Sequence, residues 1–214
     1  MTEEPKFKNT EEIKLLLNGM KDIVLNILQK DSNCYFHTLL LIGMLNRTYE
    51  LTESAIWAID NSRPITAFNM LRGLFETLGY MYYSMEKLKQ SSSLIKYNEE
   101  TSHLLLGSKK SNSQYQATNI LTCIDRATKT FTKLREQYDN ISEIVHPNAS
   151  SHAYCARPDD EEVKSVVFRI PAYEFKNQDK LMVTNMVGEC CCNIQSLCKE
   201  ILSDYDSIQC KDKR

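Results

Sequence analysis

Between Ile65 and Tyr83 the chain carries only two formal charges, Arg72 and Glu76; everything else there is apolar, aromatic, small or neutral polar. A helix apolar on nearly every side is buried on nearly every side, so this stretch predicts a central helix wrapped by others. Arg72 and Glu76 are four residues apart and share a face. Asn69 and Tyr83 fall within about 60° of the same line at 100° per residue. The chain therefore carries an arginine–glutamate pair, an amide and a phenol into an interior or a cleft. Burying ions costs several kcal/mol each before pairing offsets it. Two readings stand: a structural ion pair tying this helix to its neighbours, or a site.

The rest of the chain supplies the wrapping. A first helix is expected from about Thr10, its cap, to Lys30, with Ile13, Leu16, Leu17, Met20, Ile23, Val24 and Ile27 as its apolar stripe. A second runs from about Cys34 to Ile59, with Phe36, Leu40, Met44, Leu51, Ala55 and Ile59 near one face. Pro64 suits the first turn of the third, which reaches about Glu86. Shorter helices follow at about Ser92–Leu106, Gln114–Thr128 and Thr130–Val145, where Pro147 pushes His146 out of the helical region. The last spans about Asn177–Ser207, with Leu181, Val187, Cys191, Ile194, Cys198 and Ile201 as its stripe. Val163–Ile170 is β-branched and predicts a strand, paired with Ala153–Arg157 as a hairpin. The fold expected is an all-α bundle of six to seven helices with this small β excursion after helix 6. It forms one domain over residues 1–214, with flexible polar termini at about 1–8 and 209–214.

Composition narrows the function classes. With 26 basic and 28 acidic residues the net charge is -2, so no global basic field draws nucleic acid or an anionic membrane. The longest apolar run, Leu39–Leu45, is far short of the roughly 20 residues of a membrane span. The polar first ten residues hold no apolar signal core, and the expected compartment is the cytoplasm. Eight cysteines are then expected as free thiols. Cys190, Cys191 and Cys192 point in three directions on a helix and cannot converge on one zinc ion. His146, His152 and Cys155 come nearer to ligand spacing but lack a C-x-x-C pair. Neither metal nor cofactor is expected.

A second polar line lies on the sixth helix. Leu134, Tyr138, Ile141 and Val145 form its core stripe, and Arg135, Asp139, Ser142 and His146 run beside them. A histidine at a helix end next to a proline turn suits acid–base work, or equally a C-cap bonded to backbone carbonyls. Asn148 follows at once.

Together, NMLRGLFETLGYMYY in the third helix and YDNISEIVHPN in the sixth resemble uncharacterised bacterial helical proteins similar, in the broad sense, to the HEPN superfamily. The resemblance covers roughly Leu39–Asn148 and rests on the patterns R-x-x-x-E and S-x-x-x-H-P. It implies a helical homodimer of a stress or phage-defence system, RNA as substrate, an antitoxin-like protein partner and metal-independent ribonuclease activity. Arg72 would then stabilise phosphate charge and His146 would shuttle protons, with Glu76, Asn69, Tyr83, Ser142 and Asn148 as binding residues. The family's R-x(4–6)-H motif is absent: the nearest arginine before His146 is Arg135, eleven residues or about 16 Å away along a helix. Any arginine partner of His146 must come through tertiary contact, and Arg72 is the candidate. The alternative is a non-catalytic module binding a small ligand or a partner chain. A ribonuclease needs His146 and an arginine within about 7 Å. A binding module needs a concave pocket without that geometry. A purely structural pair predicts a dry Arg72 and no cleft.

Overall fold

The computed structural model describes residues 6–30, 36–109, 115–147, 156–160, 165–168 and 175–212. Among them are seven helices: α1 (Thr10–Lys30), α2 (Phe36–Asp60), α3 (Pro64–Gln90), α4 (Leu94–Leu106), α5 (Ile120–Ala127), α6 (Leu134–Val145) and α7 (Asn177–Asp212). The packed body is all-helical, and no strand belongs to it. Between α6 and α7, β1 (Ala156–Asp160) and β2 (Ser165–Phe168) lie antiparallel to each other. Much of the stretch where a hairpin was expected lies outside the described residues. No described helix is long and apolar enough to cross a membrane.

Helix α3 is the axis of the bundle. It packs against α2, α4, α5, α6 and α7, and Phe68, Leu71, Leu74, Phe75, Leu78 and Met81 are buried on several of its sides. That is the physical consequence of a helix with almost no polar face. Helix α2 turns into α3 through Ser62, whose φ of 53° is left-handed, and Pro64 opens α3. In α2, Phe36 stands 41% exposed rather than in the core. Its place is taken by His37, which is buried and stacked on Tyr205 of α7 at 3.5 Å between ring centroids. Threonines enter the core by returning their hydroxyls to their own helix: Thr48 to the Met44 carbonyl, Thr77 to Gly73 and Thr184 to Lys180.

Several boundaries differ from expectation for identifiable reasons. Asn9, not Thr10, caps α1: its Oδ1 accepts the Glu12 amide at 3.0 Å, and Glu12 in return accepts the Lys8 amide. Thr10 instead donates to Asp60 at the end of α2. Helix α5 begins at Ile120 because Asn119 caps it, while Gln116 bridges back to Ser108. Helix α6 begins at Leu134, since Thr130 is drawn off to the Tyr82 hydroxyl and Phe131 packs edge-on against that ring. Leu181, 38% exposed, lies off the core stripe of α7, which starts at Val183. Helix α7 continues to Asp212, past the expected end at Ser207. At the N-terminus Phe7 is buried against Gly188 of α7, its amide donating to Asn185 at 3.0 Å.

The described cysteines Cys123, Cys190, Cys191, Cys192 and Cys198 are free. Burial pushes the thiols of Cys123, Cys191 and Cys198 up to about 12 from an ordinary value of 9, and that of Cys190 up as well. Burial likewise takes Tyr97 to about 12. Since the thiolate is the nucleophile, a thiol-specific reagent at pH 8 should modify the half-buried Cys192 before these four. Because their folded-state values are raised, these groups favour the fold below their ordinary values. That contribution should drain away as pH rises from about 9 to about 12, so the denaturation midpoint should fall across that window. A flat midpoint there, or labelling of all five thiols at one rate, would count against this packing.

Candidate functional site

Helices α3 and α6 pack together, and the polar line of α3 meets α6 at Tyr138 of its core stripe rather than at the polar line of Arg135, Asp139, Ser142 and His146. The Tyr138 ring is buried, 4% exposed. Its hydroxyl donates to Glu76 Oε1 at 3.3 Å and accepts from Arg72 Nη2 at 3.4 Å. The Arg72 guanidinium lies 5.6 Å from the centroid of the same ring. Arg72 Nε is 3.4 Å from Glu76 Oε1, close enough for ion attraction, yet it makes no aligned hydrogen bond. Arg47 of α2 completes the group, with Nη2 3.6 Å from Glu76 Oε2 and Nε donating to Thr77 at 3.2 Å. Two guanidinium groups thus share one carboxylate. The pair is not dry: the side chains of Arg72 and Glu76 keep 31% and 26% of their exposure, and Arg47 keeps 48%.

The other residues proposed from sequence are distributed around this group rather than gathered in it. Asn69 is exposed and returns its amide to the Ile65 carbonyl of its own helix. Tyr83 belongs to a separate network, with Arg126 at 5.2 Å and Lys87 at 5.5 Å from its ring. There Arg126 pairs with Glu86 and Lys87 with Glu100, joining α3 to α5 and α4. Ser142 is half-buried; its Oγ makes no hydrogen bond and its carbonyl accepts the His146 amide. His146 is the exposed C-cap of α6, in extended conformation. It stands eight residues past Tyr138, about 12 Å along the helix axis. Asn148 lies outside the described residues. Arg135, the other arginine near His146 in sequence, is engaged with Asp125 and Asp139. Among the described residues no group of three or more His, Cys, Asp or Glu side chains is placed to hold a metal ion.

Sequence reasoning missed a cleft of about 1080 Å³ beside the first turn of α6. Its floor is Phe75 and Leu78 of α3; one wall is the Thr130–Leu134 turn with Gln137, and the other is α7. Leu181 and Met182 on α7 are 38% and 39% exposed. Gln178, Asn185, Glu189 and Asn193 add polar groups on the same wall, and Lys133 faces them from the turn. The lining runs from Gln178 to Asn193, about 22 Å of helix. A signal was present: Leu181 and Met182 are apolar residues that the core stripe of α7 does not need, since Leu181 sits about 120° away from Val187.

No protein-family model, no curated protein and no solved structure matches this chain.

Proposed function

We propose that this protein is a non-catalytic binding module that receives an amphipathic helix of a partner protein in the cleft between α6 and α7. The observation that carries this reading is the cleft itself, with its apolar floor, its methionine-bearing wall and its polar rim. Its length suits about four turns of helix. Unbranched methionines adapt to varied apolar partners, and helix-in-groove binding uses such a floor for anchors at i, i+3, i+4 and i+7. Lys133 on one wall and Glu189 on the other favour a partner carrying opposite charges on its two flanks.

The ribonuclease reading draws less support from the geometry. It asks Arg72 and His146 to meet at one phosphate, and Arg72 is engaged by Tyr138 and Glu76 a long way down α6 from His146. The two readings part in a paired assay. A labelled four-turn amphipathic peptide should bind by fluorescence anisotropy. Met182→Glu should weaken it about tenfold or more by placing a charge against an apolar anchor, while His146→Ala leaves it unchanged. Wild-type protein should leave single-stranded RNA uncut in the presence of a chelator. Cleavage that disappears in His146→Ala or Arg72→Ala would overturn the binding-module reading in favour of the nuclease.

A further inference from the structure

Asn185 faces two ways. It lines the cleft on the α7 wall, and its Oδ1 accepts the backbone amide of Phe7 at 3.0 Å. Phe7 precedes α1, is 7% exposed and rests on α7 at Gly188. Gly188 stands three residues past Asn185, about 60° round the helix, and seven past Leu181, about 20° from its line. The Phe7 ring therefore sits on the outer edge of the wall that carries Leu181 two turns earlier. A Cβ at position 188 would overlap that ring. An interior glycine weakens a helix relative to alanine, and here it makes a seat for one phenylalanine. The segment is fixed on its other side as well. The Lys8 amide donates to Glu12 Oε2 at 2.9 Å, and the Glu12 amide to Asn9 Oδ1 at 3.0 Å. Residues 6–9 thus strap α7 to the start of α1.

We propose, resting on the helix-binding reading of the cleft, that this strap sets the specificity of the site: Phe7 orients the Asn185 amide so that its Nδ2 donates to a glutamine on the flank of the partner helix. A side-chain amide offers one acceptor oxygen and one donor nitrogen, so holding the oxygen fixes where the nitrogen points. Flipping the amide would set its NH2 against the Phe7 N–H, donor against donor, which the docked strap excludes. Asn185 therefore offers the cleft a donor while Phe7 is docked, and the partner must bring an acceptor. Glu189, one turn further along the same wall, repels a carboxylate there and favours the neutral carbonyl of a glutamine. Between Gln178 and Asn193 one flank of α7 faces the cleft, so contacts on its other sides decide where the wall stands. Phe7 is such a contact at the level of Asn185. Coupling of this kind is reciprocal: a docked strap favours the occupant, and the occupant favours a docked strap.

Fluorescence anisotropy tests this with a labelled four-turn peptide, leucines at i, i+3, i+4 and i+7 and glutamines along its flanks. It is paired with hydrogen exchange at the Phe7 amide. Asn185→Asp keeps an acceptor for Phe7 but removes the donor, and should bind the peptide about tenfold more weakly. Phe7→Ala should weaken binding by about the same factor. Adding Gly188→Ala to Phe7→Ala should raise the thermal midpoint without restoring affinity, which separates the strap from simple stability. Saturating peptide should slow exchange at Phe7 about tenfold. Exchange at Lys96, whose amide donates to Ser93 at the start of α4, should not change. No binding by the wild type sinks the cleft reading and this inference with it. Wild-type affinity in Asn185→Asp or in the double variant, or exchange at Phe7 unmoved by bound peptide, overturns the strap and leaves the cleft standing.

Discussion

Tyr138→Ala should cost about 3 to 5 kcal/mol of stability, the range for truncating a buried aromatic, and should free α6 from α3 before the rest of the bundle melts. The ring is 4% exposed and its hydroxyl joins the two members of the Arg72–Glu76 pair. Tyr138→Phe keeps the packing and removes only these two hydrogen bonds, so it should cost about 1 kcal/mol. Arg72→Ala should also stay near 1 kcal/mol, well under the 3 to 5 expected of a dry pair. Its side chain is 31% exposed, water screens it, and Arg47 still faces Glu76. Chemical denaturation orders the three variants. Arg72→Ala matching Tyr138→Ala would mean that the ion pair, rather than the ring, holds the two helices together.

Gly188→Ala should destabilise the protein by about 2 kcal/mol in spite of alanine's better helix propensity. A Cβ at this position overlaps the ring carbons of Phe7. Phe7 lies ahead of α1, outside any helix, so it should swing out rather than force the bundle apart. The loss is the burial of one phenylalanine, about 1.5 to 3 kcal/mol, and its amide bond to Asn185, about 1 kcal/mol. Against this stands a gain of about 1 kcal/mol from replacing a mid-helix glycine. The sign should therefore reverse in a Phe7→Ala background, where the clash is gone and Gly188→Ala should stabilise by up to about 1 kcal/mol. Additive effects of the two substitutions would contradict the packing of Phe7 on α7.

The parts of the fold legible in sequence are those where one periodicity dominates. Nineteen residues with a single ion pair made α3 the axis, and the 3.6-residue stripe of α6 placed Tyr138 in the core. What Tyr138 does with its hydroxyl was not legible, because that depends on which face of α3 lies opposite. Arg47 was missed for a related reason: on a helix an arginine between an asparagine and a threonine reads as a solvated side chain. His37 was missed because a single histidine among leucines does not announce two tyrosines arriving from α4 and α7. Local signals were sometimes present and misread. Asn9-x-x-Glu12 is a capping box one residue ahead of the chosen cap, and Asn119 marks the start of α5. The cleft was hidden because Leu181 was assigned to the core stripe of α7, where it does not fit, and Met182 beside it was given no place.

Methyl resonances of the methionines provide the most direct test of the central claim. Met182 and Met186 line the cleft, whereas Met20 and Met81 are 1% and 0% exposed in the core and serve as internal references. Titration with an amphipathic peptide of about four turns, its leucines at i, i+3, i+4 and i+7, should shift Met182 and Met186 saturably. Met20 and Met81 should stay in place, and a scrambled peptide of the same composition should have no effect. Binding that leaves Met182 and Met186 unmoved, or no binding by any peptide of this pattern, would contradict the assignment of the cleft as the site through which this protein acts.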